Sequence, residues 1–144
     1  YITEQDTRER PVMIHRAPFG SMERFVGILI EHFAGAFPVW MSPVQAMLIP
    51  IADRHEGPAR EIAAKLKAVG IRAEVDDSRN RMGNKIRLAR EQQMPYMLIL
   101  GDRDLENGTV SVRLRSDEDL GAMRLDAFIT LATGVIEGKK LDLQ

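Results

Sequence analysis

Two groups of residues in this chain could do chemistry. The first is the run Ile14 to Phe25, IHRAPFGSMERF, where a strand-like stretch gives way to a helix. Gly20 lets a backbone approach a ligand closely, the free N–H groups of a helix opening at Ser21 attract anions, and Arg24 offers a planar fork suited to phosphate. That combination would suit a nucleotide. The same residues also read as a plain helix cap at Ser21 beside a solvated Arg24, the commoner outcome for an isolated G-S-x-x-R. His15, just upstream, is a lone imidazole, and a lone imidazole on a strand is more often structural than a metal ligand. The second group is Arg79, Arg81, Lys85, Arg87 and Arg90, with no acid between Ser78 and Arg90, joined by Arg113 and Arg115 from an alternating run. Such a cluster fits a polyanion or forms a solvated helix face.

Composition narrows what these groups can serve. Twenty Lys and Arg against 21 Asp and Glu leave a formal charge of -1, so attraction to an anion must come from a local patch rather than the whole molecule. There is no Cys, which excludes disulfides, thiolate catalysis, zinc ribbons and iron–sulfur clusters made from these residues alone. The most apolar run, Phe25 to Ile30, falls far short of the roughly twenty residues that span a bilayer. With 44% hydrophobic and 28% charged residues, the 144 positions suffice for one globular core and a small appendage. The first residue is Tyr, and the chain is expected to be a piece of a longer one.

The elements that must hold these residues follow from periodicity. Arg8 to Ala17, carrying Val12 and Ile14 after the polar turn Glu4 to Thr7, predicts the second half of a β-hairpin. Ser21 to Ala34 predicts a helix that is apolar around most of its circumference, through Phe25, Val26, Ile28, Leu29, Ile30 and Phe33, and that therefore needs a partner upstream. The segment AFPVWMSP, with two Pro and a Trp, predicts a short stiff connection, residues 38–43, dividing 1–37 from 44–144.

Beyond it, Ala46 to Ile51 is of strand length, Pro58 to Val69 has a helical stripe, Ile71 to Val75 alternates, Met82 to Ala89 is helical and Tyr96 to Leu100 is an apolar strand. Strand alternating with helix predicts an α/β unit with a small, mostly parallel sheet flanked by helices. Pro50 points to a strand end or an edge. Val110, Val112 and Leu114 alternate with Ser111, Arg113 and Arg115, a strand with a basic outer face, and a last helix is expected to be capped by Asp126.

The string RPVMIHRAPFGSMERFVGILIEHFAG, followed by FPVW and SPVQ, closely resembles motif 3 and the exit of the catalytic domain in threonyl-tRNA synthetases. The remainder, through DDSRNRMGNKIR, PYMLILGDRD and VSVRLR, resembles the C-terminal anticodon-binding domain of the same class II family. The resemblance implies a strand-helix remnant of the antiparallel catalytic domain at 1–37 and an anticodon-binding domain at 44–144.

Residue by residue, the resemblance implies that Arg24 is the catalytic motif 3 arginine on the ATP phosphates, with Ser21 near the nucleotide and Mg accompanying the ATP. His15 would match the single zinc-binding histidine that motif 3 contributes, the other two ligands lying outside this sequence, while His32 and His55 match no ligand. Zinc suits a threonine site, since coordination of both the amino group and the hydroxyl rejects isosteric valine. In the second part, Arg113 corresponds to an anticodon-reading arginine, Arg81 and Arg87 to basic positions of the second helix, and Asp104 to an acidic base reader that is usually Glu. Ser78, Arg79 and Asn80 depart from the family pattern.

The implied parent is a cytoplasmic homodimer that activates threonine with ATP and transfers it to tRNA(Thr). Alone, the 144 residues are expected to bind RNA without forming adenylate or holding zinc. The alternatives are a non-catalytic synthetase-derived module that binds RNA or protein, which an intact motif 3 argues against, and a flavodoxin-like binder, which lacks a Gly-rich loop after its first strand.

Overall fold

The computed structural model describes residues 1–144, and its first regular element is the helix α1 (Met22–Phe33). Ser21 stands extended at its N-cap, where Oγ accepts the Arg24 N–H at 3.3 Å and satisfies one of the donors every helix start leaves open. No residue of α1 is buried, and Ile28 is 55% exposed. The expected strand over 8–17 does not form. A single antiparallel bridge joins Ile2 to Arg8, and Val12 and Ile14 lie exposed in irregular backbone. A strand needs a neighbour for its N–H and C=O groups, and no other segment runs beside this one.

The rest of the chain builds one sheet. In order come β1 (Ala46–Pro50), α2 (Glu56–Ala68), β2 (Ala73–Val75), α3 (Met82–Glu91), β3 (Tyr96–Leu100), α4 (Asp102–Asn107), β4 (Thr109–Leu114), β5 (Asp119–Arg124) and α5 (Leu125–Glu137). The strand order is β2-β1-β3-β4-β5, with β1 parallel to β2 and β3, and β4 antiparallel to both β3 and β5. The α/β architecture is as expected, but the sheet is mixed rather than mostly parallel. The short connections at 101–108 and 115–118 leave no room for a crossover, so the chain turns back on itself there. Pro50 ends a strand with neighbours on both sides, where β1 has no further ladder to continue. The last helix starts at Leu125 behind an extended Arg124, which makes no side-chain cap, so Asp126 sits in the first turn instead of capping it.

The two faces of the sheet are unequal. Leu48, Leu98 and Val112 share one face with Ala59, Ala63 and Leu66 of α2 and Phe128, Ala132 and Val135 of α5, in a core of 17 buried residues. On the other face α3 covers only β1 and β3, through a cluster of four, Ile49, Ile86, Ala89 and Met97. Register carries that second face outward: Met47 stands beside Met97, and Met97 beside Arg113. Past β3 no helix covers it, so β4 lines a cleft instead of a core.

Residues 38–43 are held against the sheet. Val39 is fully buried in the larger core and its carbonyl accepts from Gln45 Nε2 at 2.9 Å. The Arg72 guanidinium donates to the carbonyls of Trp40 and Ser42, and Arg115 Nη1 donates to the Phe37 carbonyl at 2.6 Å. A stiff sequence is thereby fixed at both ends by side chains from the sheet.

Candidate nucleic-acid interface

The uncovered half of the sheet and the flank of α3 enclose a cleft of about 650 Å³. Arg87 and Arg90 come from α3, because positions three apart on a helix share a face. Arg113 and Arg115 come from the end of β4 and the turn after it. The cleft therefore has two basic walls, although most of its charges are partly answered from within the chain. Arg87 pairs with Glu91, Arg90 Nη1 lies 3.1 Å from Asp117 Oδ2, and Arg113 Nη2 lies 3.1 Å from Asp119 Oδ2. Arg115 is half-buried against the Phe37 carbonyl, and burial lowers its pKa from the ordinary arginine value.

Arg113 is the most constrained of these. Its backbone neighbour Met97 is fully buried, its own Nε is shut away from solvent without a hydrogen-bond partner, and one terminal nitrogen is fixed by Asp119. No bond within the chain reaches Nη1. An arginine so placed offers donors in a fixed plane with little side-chain entropy left to lose.

Asp104 sits beside the same strand but with its carboxylate committed. Oδ2 accepts the Gly101 N–H at 3.1 Å as the cap of α4, and Oδ1 accepts the Ser111 hydroxyl at 2.8 Å. The residue is 9% exposed. The resemblance implies a base-reading acid at this position, and within the chain Asp104 ties α4 to the strand that carries Arg113.

Arg81 does not reach this cleft. It stands at the N-cap of α3 and lines a second groove of about 770 Å³ at the carboxyl ends of β1 and β2, with Arg79, Arg60, Asp77 and Glu56. Lys85, counted with the basic cluster in the sequence, is buried: Nζ donates to the Asp76 carbonyl at 2.8 Å and lies 3.5 Å from that of Pro50. It closes the ends of two parallel strands, its charge directed at their carbonyls. The basic cluster of the sequence thus resolves into a cleft, a groove and a strut.

Ser21, Arg24 and His15 stand apart from both, all exposed. The Glu23 carboxyl is held below its usual range by its own backbone N–H first and then by the Ser21 hydroxyl, whose Oγ donates to Oε2 at 2.9 Å. No cluster of three His, Asp or Glu gathers anywhere in the chain in a way that could hold a metal. His15 by itself supplies one ligand where a catalytic zinc takes three from protein, so these residues do not fit zinc unaided. No helix is long and apolar enough to cross a membrane.

Two further features carry only a weak sequence signal or none. The first is Asp119, opposite Arg113, for which the Gly of Asp-Leu-Gly was the available signal, since an isolated Gly in a strand marks a bulge. The second is the pair His55 and Asp102 at 2.8 Å, which ties the segment after β1 to the start of α4.

The model of the anticodon binding domain family matches residues 45–133. A threonine-tRNA ligase of Thermus thermophilus is 49% identical over 142 residues, covering 99% of this chain and 22% of the relative. One from Deinococcus deserti is 54% identical over 137 residues, 95% of this chain and 21% of its own length. The crystal structure of the RNA binding domain of threonyl-tRNA synthetase from Cryptosporidium parvum superposes with a TM-score of 0.74 at 29% identity, covering 84% of this chain and 30% of that one. The chain thus spans about a fifth of the length of the curated relatives it matches.

Proposed function

The chain belongs to the anticodon-binding-domain family, in the form carried by threonine-tRNA ligases, and on that premise we propose that the cleft between α3 and β4 reads the anticodon loop of tRNA(Thr). The observation that carries the reading is Arg113: a guanidinium with one nitrogen dry, one fixed and one free, on the wall of an open cleft faced by Arg87 and Arg90. Unstacked loop bases present their Watson–Crick edges to such a fork, while the arginines of α3 meet the phosphates between them. Arg81, at the neighbouring groove, contributes to the backbone path. Asp104, held beside β4 through Ser111, supplies the acidic partner of the base contacts.

The parent enzyme would activate threonine with ATP and transfer it to the terminal ribose of tRNA(Thr) in the cytoplasm as a homodimer, with residues 1–37 as the end of its catalytic domain and 44–144 as the anticodon domain. Arg24 would brace the ATP phosphates, which arrive with Mg, as a permanent charge on the first turn of α1, and Ser21 would hold that turn's geometry through its cap. His15 would present one imidazole to a zinc completed from outside these residues.

The test is a titration of the chain with a tRNA(Thr) anticodon stem-loop and with a loop of swapped anticodon. Arg113→Ala should weaken the cognate loop by about 1–3 kcal/mol and bring the two affinities together. An unchanged ratio would show the cleft to be a generic basic patch.

A further inference from the structure

β5 pairs with β4 in simple antiparallel register from Thr109 opposite Arg124 to Val112 opposite Gly121, and then the register slips: Arg113 stands opposite Asp119. One residue, Leu120, is extra. Without the slip Arg113 would face Leu120, which is half-buried and packs against the larger core on the opposite face. With it, Leu120 packs on the core and Asp119 pairs with Arg113 at the edge of the cleft. Gly121 makes this possible with φ +75, a conformation that a side chain rarely adopts.

The Asp119 carboxylate then spans the bulge. Oδ1 accepts the Gly121 N–H at 2.8 Å and Oδ2 accepts from Arg113 Nη2 at 3.1 Å. Both bonds favour the ionised form, the amide more than the arginine, and hold the carboxyl below its usual range. A surface acid free to rotate would give Arg113 a weak and screened partner. This one is fixed to backbone at one oxygen, so the other has a set position.

We propose that Asp119, set by the Gly121 bulge, is a positioning residue for Arg113 and thereby a determinant of which anticodon the cleft accepts. The inference rests on the reading of Arg113 given above. Its chemistry is distinctive because Asp119 is an acid at the edge of a polyanion site. By charge alone, removing it should tighten every RNA equally. As a positioning residue, its removal should loosen the cognate loop and spare the swapped one.

The experiment uses the whole chain, with Asp119→Ala, Asp119→Asn, Arg113→Ala and the double variant Asp119→Ala/Arg113→Ala, titrated with cognate and swapped stem-loops at two salt concentrations. Asp119→Ala should lower the cognate-to-swapped ratio about tenfold, and the double variant should discriminate no worse than Arg113→Ala alone, since the two residues act as a unit. Asp119→Asn, which keeps the shape and one acceptor, should fall between. Without RNA, hydrogen exchange at Arg113 Nε should quicken in Asp119→Ala, a readout independent of affinity. If Arg113→Ala collapses the ratio while Asp119→Ala tightens both loops equally, Asp119 is only a background charge and the inference is overturned. If Arg113→Ala leaves the ratio unchanged, the reading of the cleft itself falls and the inference with it.

Discussion

His55 Nε2 lies 2.8 Å from Asp102 Oδ1 while its Nδ1 receives the Ala52 N–H at 3.2 Å. The second contact fixes the direction of the first. An Nδ1 that accepts carries no proton, so Nε2 must be the protonated nitrogen and must donate to the carboxylate. The ring is 1% exposed. A buried imidazole thus links the turn after β1 to the first residue of α4 through one defined tautomer, and Arg54 Nε completes the arrangement from outside at 2.8 Å to the same oxygen.

Asp102 should consequently make the fold sensitive to acid. Its carboxyl is held well below the usual range, by Arg54 first and His55 second. A depressed folded pKa adds stability that is complete above the unfolded value, near about 4, and that is lost as pH falls through the folded value. Urea melts of the wild type and Asp102→Asn should therefore differ by a constant amount above about pH 5 and converge steadily below about pH 4. A difference that does not change between those limits would mean the carboxylate is not coupled to folding.

Gln45 makes a different kind of link. Its fully buried amide donates to the Val39 carbonyl and accepts the Arg72 N–H at 2.9 Å, joining the segment before the sheet to the segment before β2. Gln45→Leu keeps the volume but leaves the buried Val39 carbonyl and the part-buried Arg72 N–H without their partner. Leaving such groups unmet costs about 1–3 kcal/mol, so the urea midpoint should fall without a change in slope. The loss should be larger than for Arg72→Ala, whose guanidinium binds carbonyls nearer to water.

The parts of this fold that were legible in the sequence are those whose signal is local. Tyr96 to Leu100 and the Ala59, Ala63 and Leu66 stripe of α2 are buried as expected, while Val69, past the helix end, is exposed, since a period is imposed by geometry only within the element. α4, with six residues, is too short to show a period, and β5 hides its alternation because Leu120 is a bulge residue. Antiparallel return after β3 depends on the length of a turn and not on any pattern in the strands. For the candidate site, residue type marked Arg113 and Arg87 as members of a basic cluster, but the direction of a side chain is set by what packs around it. Lys85 is as basic in sequence as Arg87, yet it lies one position from the cleft-facing stripe of α3 and turns to the carbonyls at the strand ends. Asp104 is similarly one carboxylate among 21 acids until Ser111 and Gly101 claim its oxygens.

Arg87 and Arg81 offer a last, sharper division of labour. Both are exposed, and neither has the buried Nε or backbone-anchored partner that fixes Arg113. Arg87 is held only by Glu91 and Asn84 on its own helix, so its guanidinium can swing toward a phosphate without a large penalty. Arg81 at the start of α3 has no bonded acid and projects into the second groove. Phosphate contacts position a nucleic acid without reading it, and on the proposed function both arginines make contacts of that kind. Replacing either by Ala should weaken cognate and swapped stem-loops by the same factor and reduce the slope of log affinity against log salt by about one ion per lost contact. Glu91→Gln should act in the opposite sense, releasing Arg87 and removing an acid from the cleft wall, so both loops should bind more tightly at low salt. The measurement is a salt series on all three variants with both loops. A change in the cognate-to-swapped ratio for Arg87→Ala would move Arg87 from the phosphates to the bases, and an unchanged slope would remove it from the RNA altogether.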